Sequence, residues 1–191
     1  MKSPRSTGLL RDRGPQALRA LVVVSVIGSV ASSAAPGRAQ TGSVQCVITA
    51  NSAPARGTIV VSQPQQKEVG GTCGVPLRVA PGKWKATVRL DGTLDNPSKQ
   101  VPVEVNPGKT TQVAVDFRTG TLEVRIVVKG GRGTGLVTVN QGSKRIGTLG
   151  AGVPVLLSAG EYEVVVRYDG REQRHKIDLR AGQRRLLRTQ F

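Results

Sequence analysis

Two stretches of the chain share the pattern that decides its fold: GVPLRVAPGKWKATVRLDG at residues 74–92 and GVPVLLSAGEYEVVVRYDG at residues 152–170. Both begin with Gly-Val-Pro and end with Asp-Gly. Between these landmarks, apolar residues recur at every second position from Trp84 to Leu90, and the same spacing follows Tyr162. A period of two is typical of a half-buried β-strand, and Asp-Gly is typical of a tight hairpin turn. The pattern predicts a strand and turn that the chain uses twice.

The similarity extends outward from these stretches to most of the chain. Residues 41–92 align with residues 119–170 at a constant shift of 78, without a gap. After a deletion of four residues the alignment resumes at a shift of 74 and ends by pairing Phe117 with Phe191. Chance similarity between two β-rich, glycine-rich segments is the alternative, and the ungapped register and shared final Phe argue against it. We therefore expect two repeats, 40–118 and 119–191.

Each repeat contains about six short apolar runs with a period of two, separated by Gly, Pro and Asp-Gly turns. No stretch after residue 39 has the three- and four-residue apolar spacing of an amphipathic helix. About six strands in some 75 residues are typical of a small two-sheet sandwich. We predict an all-β fold: two tandem small antiparallel β-sandwich domains after a signal peptide.

The first 39 residues have the organisation of a secretory signal peptide. A basic segment precedes an uncharged run from Ala20 to Ala35, and small residues follow. That run is shorter than the roughly 20 residues of a membrane span, so a retained anchor is the weaker alternative. Gly37 and Ala39 favour cleavage after Ala39, and a cut after Ser33 or Ala34 is the second choice. We expect a periplasmic or secreted protein with no membrane span after cleavage.

The repeated pattern resembles PEGA-type domains and the carboxypeptidase-regulatory-like, transthyretin-related sandwiches. The similarity lies in Gly-Val-Pro, a following Pro-Gly or Ala-Gly, an aromatic residue that begins an alternating strand, and Asp-Gly. The four-letter motif that names the PEGA group is absent from both repeats. Such domains are usually non-catalytic accessory modules of bacterial envelope and secreted proteins. The resemblance implies that class of protein without identifying a ligand.

The two cysteines, Cys46 and Cys73, both lie in the first repeat. The alignment places Val124 and Ala151 at their positions in the second repeat, so both cysteines are replaced together by apolar residues. A disulfide between neighbouring positions explains this paired replacement, and an oxidising compartment permits it. Two buried free thiols are the alternative.

Few residues are available for catalysis or for metal binding. One His and two Cys exclude a site that needs several such ligands, for example a structural zinc centre. His175 has no catalytic partner nearby in sequence, and we expect it on an edge strand among charged residues. Asp91, Asp95 and Asn96 could supply calcium ligands, but they lack the spacing of a calcium loop, and an elaborated loop is the preferred interpretation. We expect no catalytic residues, no metal and no cofactor.

Charge is the main functional clue. The formal net charge is +16, and the mature residues 40–191 keep +11, of which +7 lies in the second repeat. A basic patch is predicted near its end, comprising Arg171, Arg174, Lys176, Arg180, Arg184, Arg185 and Arg188. Concentrated positive charge attracts anionic partners. A general excess of arginine, without a binding role, is the alternative.

Two functions follow from these observations. The first is an exported, non-catalytic accessory or structural module that contacts an envelope protein. The second is a polyanion binder that holds an anionic lipid or glycan through the basic patch. Nucleic acid is disfavoured because the protein is expected to be exported. Stacking of neutral sugars is disfavoured because the aromatic residues occupy repeat-equivalent, core-type positions. Catalysis is the least supported possibility.

Overall fold

A computed structural model describes residues 40–191, which contain sixteen β-strands and no helix. The first eight strands are β1 (Gly42–Ala50), β2 (Ala53–Pro54), β3 (Gly57–Ser62), β4 (Val69–Thr72), β5 (Leu77–Val79), β6 (Gly82–Leu90), β7 (Ser98–Val105) and β8 (Thr110–Phe117). The other eight are β9 (Thr119–Val128), β10 (Gly131–Gly133), β11 (Leu136–Gln141), β12 (Lys144–Gly150), β13 (Val155–Ser158), β14 (Gly160–Tyr168), β15 (Arg171–Leu179) and β16 (Arg184–Gln190). The predicted all-β fold of two tandem sandwiches is confirmed.

The two repeats have the same topology. In the first repeat, sheet A contains β2, β1, β5 and β8, and sheet B has the order β4-β3-β6-β7. In the second repeat, sheet C contains β10, β9, β13 and β16, and sheet D has the order β12-β11-β14-β15. Each strand therefore has a counterpart eight strands later, as the sequence alignment predicts. Eight short strands per repeat replace the six or so that were expected.

One strand pair in each repeat is parallel. β8 pairs with β1 and β16 pairs with β9 in parallel register, whereas the other pairs are antiparallel. The cause is the final connection of each repeat. In the first repeat β7 lies in sheet B and β8 in sheet A, and in the second repeat β15 lies in sheet D and β16 in sheet C. The last turn of each repeat therefore crosses between the two sheets, and this crossing decides where the basic residues of β15 and β16 lie.

Alternate residues of both sheets form a separate apolar core in each repeat. Trp84 and Tyr162, which the alignment pairs, are 5% and 3% exposed. The Trp84 Nε1–H donates to the carbonyl oxygen of Ala80 at 2.9 Å, and the Tyr162 hydroxyl donates to that of Ser158 at 2.9 Å. Both side chains thus donate to the carbonyl oxygen at the same position of the repeat, which explains how one aromatic residue can replace the other.

A pair of equivalent glycines shows that the repeats share backbone geometry. A Cβ atom on Gly57 would collide with the carbonyl oxygen of Arg89, and one on Gly135 would collide with that of Arg167. The Asp-Gly turn of the second repeat also has the expected left-handed backbone, with φ of 46° at Asp169 and 73° at Gly170.

The structure joins Cys46 and Cys73 in a disulfide bond, with Cα atoms 4.6 Å apart. Cys46 is fully buried in the core of the first repeat. Val75 is 58% exposed and lies in the turn before β5, which begins at Leu77. The turn follows from Gly74, whose φ of 96° interrupts the extended backbone.

A loop of the first repeat packs against the second. The four residues that the second repeat lacks lie in the β6–β7 loop, residues 91–97. Leu94 packs against the second core and donates its N–H to the carbonyl oxygen of Leu156 at 2.9 Å. An Asp95 carboxylate oxygen accepts the N–H of Ser158 at 3.2 Å. Burial raises the pKa of Tyr162 to about 12, and the Asp95 carboxylate contributes to that rise.

A second contact joins the repeats at their boundary. The side-chain amide of Asn51 donates to the carbonyl oxygen of Thr119 at 2.8 Å and accepts the Thr119 N–H at 3.0 Å. The described residues 40–191 accordingly belong to one compact unit. The predicted signal peptide, residues 1–39, lies outside the described residues. No helix among residues 40–191 has the length and apolar character needed to cross a membrane.

Candidate functional site

The seven residues of the predicted basic patch do not share one surface. Arg174 and Lys176 lie on the outer face of sheet D, because the odd-numbered positions of β15 point into the core. Arg184 and Arg188 lie on the outer face of sheet C, on the opposite side of the sandwich. The other three occupy the edges: Arg171 begins β15, Arg180 follows it, and Arg185 points between the two sheets and donates to the carbonyl oxygen of Asp178 at 2.9 Å.

The outer face of sheet D carries balanced charge. Its basic residues are Arg145, Arg167, Arg174 and Lys176, and its acidic residues are Glu161, Glu163, Glu172 and Asp178. Glu172 lies between two of the cations, 2.8 Å from a nitrogen of Arg167 and 2.8 Å from one of Arg174. Hydrogen bonds from these arginines lower the pKa of Glu172. A polyanion therefore meets as many carboxylates as cations on this face.

The outer face of sheet C carries an excess of positive charge. Arg125 on β9, Arg132 on β10, and Arg184 and Arg188 on β16 all lie on this side of the sheet. We call these four residues, together with Glu123 between them, the arginine face. Its net charge is +3, and no carboxylate among residues 40–191 forms a salt bridge with Arg132 or Arg188.

Glu123 is the centre of the arginine face. Its side chain is only 7% exposed, because β9 is the central strand of sheet C and the arginines cover it. Arg125 Nε donates to one carboxylate oxygen at 2.6 Å, and Arg184 Nη2 donates to the other at 3.1 Å. These hydrogen bonds, with that from Arg125 the stronger cause, lower the pKa of Glu123, so the carboxylate remains ionised at neutral pH.

An open cleft of about 260 Å³ borders Glu123 and Arg125. Its other walls are Arg132 and the backbone near Gly133 and Gly152. Ala151, which occupies the position of Cys73 in the first repeat, also lines it. The small side chain at this position leaves space beside the two arginines. The cleft is large enough for a single anionic group but smaller than most small-molecule sites.

The first repeat provides an internal comparison for this face. The alignment places Gln45 at the position of Glu123, and neutral residues at those of the arginines: Val47 for Arg125, Pro54 for Arg132, Thr110 for Arg184 and Ala114 for Arg188. The backbone is the same in both repeats, so the sandwich forms without charges at these positions. The arginine face is therefore an addition to the fold, and a uniform excess of arginine does not account for its position.

Electrostatics also argue that this face carries more arginines than stability requires. Arg125 and Arg188 are direct neighbours in the parallel register of β9 and β16. Adjacent like charges on neighbouring strands destabilise a sheet. One carboxylate, Glu123, cannot balance four cations. A surface that concentrates uncompensated arginine in this way is suited to binding an anion.

Other residues singled out in the sequence have structural partners. His175 lies within β15, an edge strand, and its Nε2 is 3.1 Å from the Thr189 hydroxyl. Asp95, considered as a calcium ligand, accepts a backbone N–H across the contact between the repeats. The described residues contain no group of three His, Cys, Asp or Glu side chains placed to hold a metal ion.

Sequence reasoning missed two members of the arginine face, Glu123 and Arg125. Arg132, which lies in the Gly-rich stretch 130–133, was not part of the predicted basic patch either. A usable signal was present, because Glu123 and Arg125 alternate with the apolar residues of β9 and are replaced by Gln45 and Val47 in the first repeat. Charge that differs between repeat-equivalent, outward-facing positions is the pattern that identifies this face.

Comparisons with known proteins provide no closer assignment. No family model and no curated protein matches the chain. Among solved structures, the TIE protein of Bacillus anthracis is 15% identical and covers 80% of this chain, which spans 34% of that protein (TM-score 0.36). A leucine-rich repeat protein of Bacteroides thetaiotaomicron is 15% identical and covers 80% of this chain, which spans 26% of it (TM-score 0.31).

A third similar structure is the minor pilin of Streptococcus agalactiae, which is 8% identical. It covers 78% of this chain and is itself covered over 94% of its length (TM-score 0.37). The chain thus spans about a third and a quarter of the first two proteins and nearly all of the third. Similarity at these TM-scores carries no functional argument, so function must be argued from the arginine face.

Proposed function

We propose that the protein is an exported, non-catalytic module of the cell envelope whose arginine face binds an anionic glycan. The observation that carries the proposal is the repeat-specific cluster of four arginines around one buried carboxylate. Export is supported by the signal-peptide pattern of residues 1–39 and by the disulfide. The resemblance to PEGA-type and carboxypeptidase-regulatory-like modules is part of the same proposal.

A polymer suits the shape of the face better than a single small ligand. The four arginines lie on three neighbouring strands, β10, β9 and β16. Strands are about 4.8 Å apart, so the cations extend over roughly 10 Å across the sheet. Outside the cytoplasm, an anionic glycan can present several charges over such a distance. Of the seven residues in the predicted basic patch, the proposed binding site keeps only Arg184 and Arg188. It adds Arg125 and Arg132.

The first repeat supplies the variant that tests this function. The substitutions Glu123→Gln, Arg125→Val, Arg184→Thr and Arg188→Ala give sheet C the residues of sheet A and lower the net charge by two. Changing Glu123 as well avoids leaving its carboxylate buried without a partner. The matched control is Arg174→Gln with Lys176→Gln, which also lowers the net charge by two, on the balanced face of sheet D.

Binding of residues 40–191 to heparin is measured by fluorescence anisotropy at low and high salt, with polyglutamate and anionic lipid vesicles as further probes. We expect the four-residue graft to weaken heparin binding at least about tenfold, since each lost charge-assisted contact contributes about 1.5–3 kcal/mol. The control should retain most of the affinity, and high salt should weaken binding by the original protein. Equal loss in graft and control would contradict the proposal, as would binding to lipid vesicles alone.

A further inference from the structure

We propose that Glu123 is a positioning residue: it fixes the guanidinium groups of Arg125 and Arg184 so that the face binds oxyanion groups through paired N–H donors. This inference rests on the proposed function and concerns how the arginine face recognises its partner. The competing possibility is a face that attracts anions through its net charge alone.

The contacts of Glu123 support a positioning role. Each of its two carboxylate oxygens accepts from a different arginine, at 2.6 Å from Arg125 Nε and 3.1 Å from Arg184 Nη2. Arg125 Nη2 also lies 2.6 Å from the first oxygen. Because the Glu123 side chain is only 7% exposed, a polymer lying on the face touches the arginines and little of the carboxylate. The carboxylate therefore acts on a partner through the two cations that it holds.

Fixed guanidinium groups have two advantages over mobile ones. Each long side chain that is immobilised during binding loses conformational entropy, and this cost falls when the arginine is already held in place. A planar guanidinium also offers parallel N–H donors that match two oxygens of a carboxylate, sulfate or phosphate. Arg184 remains 71% exposed despite its bond to Glu123, so its other N–H groups face the partner.

The cleft beside Glu123 gives one oxyanion group a defined place. Arg125 and Arg132 stand on its walls, with the backbone of Gly133 and Gly152 beside them. Since both carboxylate oxygens of Glu123 are already occupied by arginines, an entering anion meets the remaining guanidinium N–H groups. The shared chemistry of the ligand is thus an oxyanion, which a sulfated, phosphorylated or carboxylated glycan could each supply.

The substitution Glu123→Gln separates positioning from net charge because the two predict opposite signs. It raises the charge of the face from +3 to +4, so attraction by charge alone would strengthen binding. Loss of the positioning carboxylate should instead weaken heparin binding about tenfold at low salt, the combined cost of ordering two arginines. The variant should fold, because Gln45 occupies this position in the first repeat and donates to the carbonyl oxygen of Gly74 at 3.2 Å.

A second pair of variants tests the same inference at constant charge. Arg125→Lys removes the guanidinium fork at an arginine that Glu123 holds, whereas Arg188→Lys changes an arginine outside that network. We expect Arg125→Lys to weaken binding several-fold more than Arg188→Lys, on heparin, polyphosphate and polyglutamate alike. These two variants carry the test if Glu123→Gln does not fold, which thermal unfolding followed by circular dichroism would reveal.

The outcomes distinguish the inference from the proposed function. Unchanged or tighter binding by Glu123→Gln overturns the positioning role, as do equal effects of the two lysine substitutions. If the four-residue graft still abolishes binding in that case, the arginine face remains the binding site and acts through charge alone. If the graft leaves binding unchanged, the proposed function itself fails.

Discussion

At the scale of single residues, the two repeats fill the same pair of positions with different side chains. Cys46 and Val124 occupy equivalent, fully buried positions on β1 and β9. Cys73 lies where the second repeat has Ala151, so a covalent link in one repeat corresponds to a small side chain beside the cleft in the other. The disulfide is therefore compatible with the sandwich but is not required by it.

The double substitution Cys46→Val and Cys73→Ala should consequently leave a folded but less stable first repeat. The bond closes a loop with a sequence separation of 27 residues. In the chain-entropy model, its loss costs roughly 3–4 kcal/mol. The measurement is urea unfolding followed by fluorescence of Trp84, the single tryptophan, which lies in the core of the first repeat.

The control for this experiment is the original protein after reduction, which should unfold at a similarly low urea concentration. Mass spectrometry after alkylation without reductant should show no modified thiol. Two alkylated cysteines in unreduced protein, or equal stability of the double variant and the original protein, would contradict a stabilising disulfide.

At the scale of strands, the alternation of apolar residues in the sequence predicted which faces are buried, but it did not predict which strands pair. The spacing from Trp84 to Leu90 and from Tyr162 to Tyr168 correctly identified the buried faces of β6 and β14. Alternation also places Arg174 and Lys176 on the same face of β15. It could not assign β15 and β16 to different sheets, because a period of two fixes which side a residue takes within one strand and not which sheet the strand joins.

The arginine face was missed for the same reason, because its assembly depends on which strands pair. Arg125 and Arg188 lie far apart in sequence, and only the parallel pairing of β9 with β16 brings them together. Parallel pairing of a final strand with a first strand is a long-range contact without a local sequence signal. The arginine face could therefore be assembled only from the structure, even though each member was visible in the sequence.

The charged network across β14 and β15 makes stability depend on pH. Bonds from Arg167 and Arg174 lower the pKa of Glu172 from its ordinary value of 4.5. A lowered pKa in the folded state means that the unfolded chain binds protons more readily. The contribution of Glu172 is therefore complete above about pH 4.5 and is lost as the pH falls through the lowered value. Glu123 contributes in the same direction.

We expect the free energy of unfolding to be nearly constant between about pH 7 and 5 and to fall as the pH decreases below about 4.5. The substitution Glu172→Gln should reduce stability at pH 7 and make the loss on acidification smaller, as measured by urea unfolding. Glu161→Gln is the control, because Glu161 lies on the same face and makes no ion pair among residues 40–191. An unchanged pH slope in Glu172→Gln would contradict this account.

At the scale of the whole molecule, the four-residue insertion acquires a role that its sequence did not indicate. The β6–β7 loop was expected to be an elaboration of the first repeat. Thr93 in this loop is buried, Leu94 joins the second core, and Asp95 accepts a backbone N–H of the second repeat. The insertion therefore couples the stability of the two repeats.

Deletion of residues 94–97 tests this coupling, because it leaves Asp91-Gly92 in the register that Asp169-Gly170 has in the second repeat. Each repeat should still fold, while the interaction between them loses roughly 0.5–3 kcal/mol, the usual range for residues in contact.

The two halves can be followed separately, since Trp84 lies in the first repeat and Tyr162 and Tyr168 in the second. In the original protein, Trp84 fluorescence and near-UV tyrosine circular dichroism should report one urea transition. In the deletion variant, the two transitions should separate. Asn96→Gly is the control, because Asn96 is exposed with a φ of 44° and glycine keeps the loop in place. Coincident transitions in the deletion variant would show that Asn51 and the short connection at Arg118 couple the repeats without the loop.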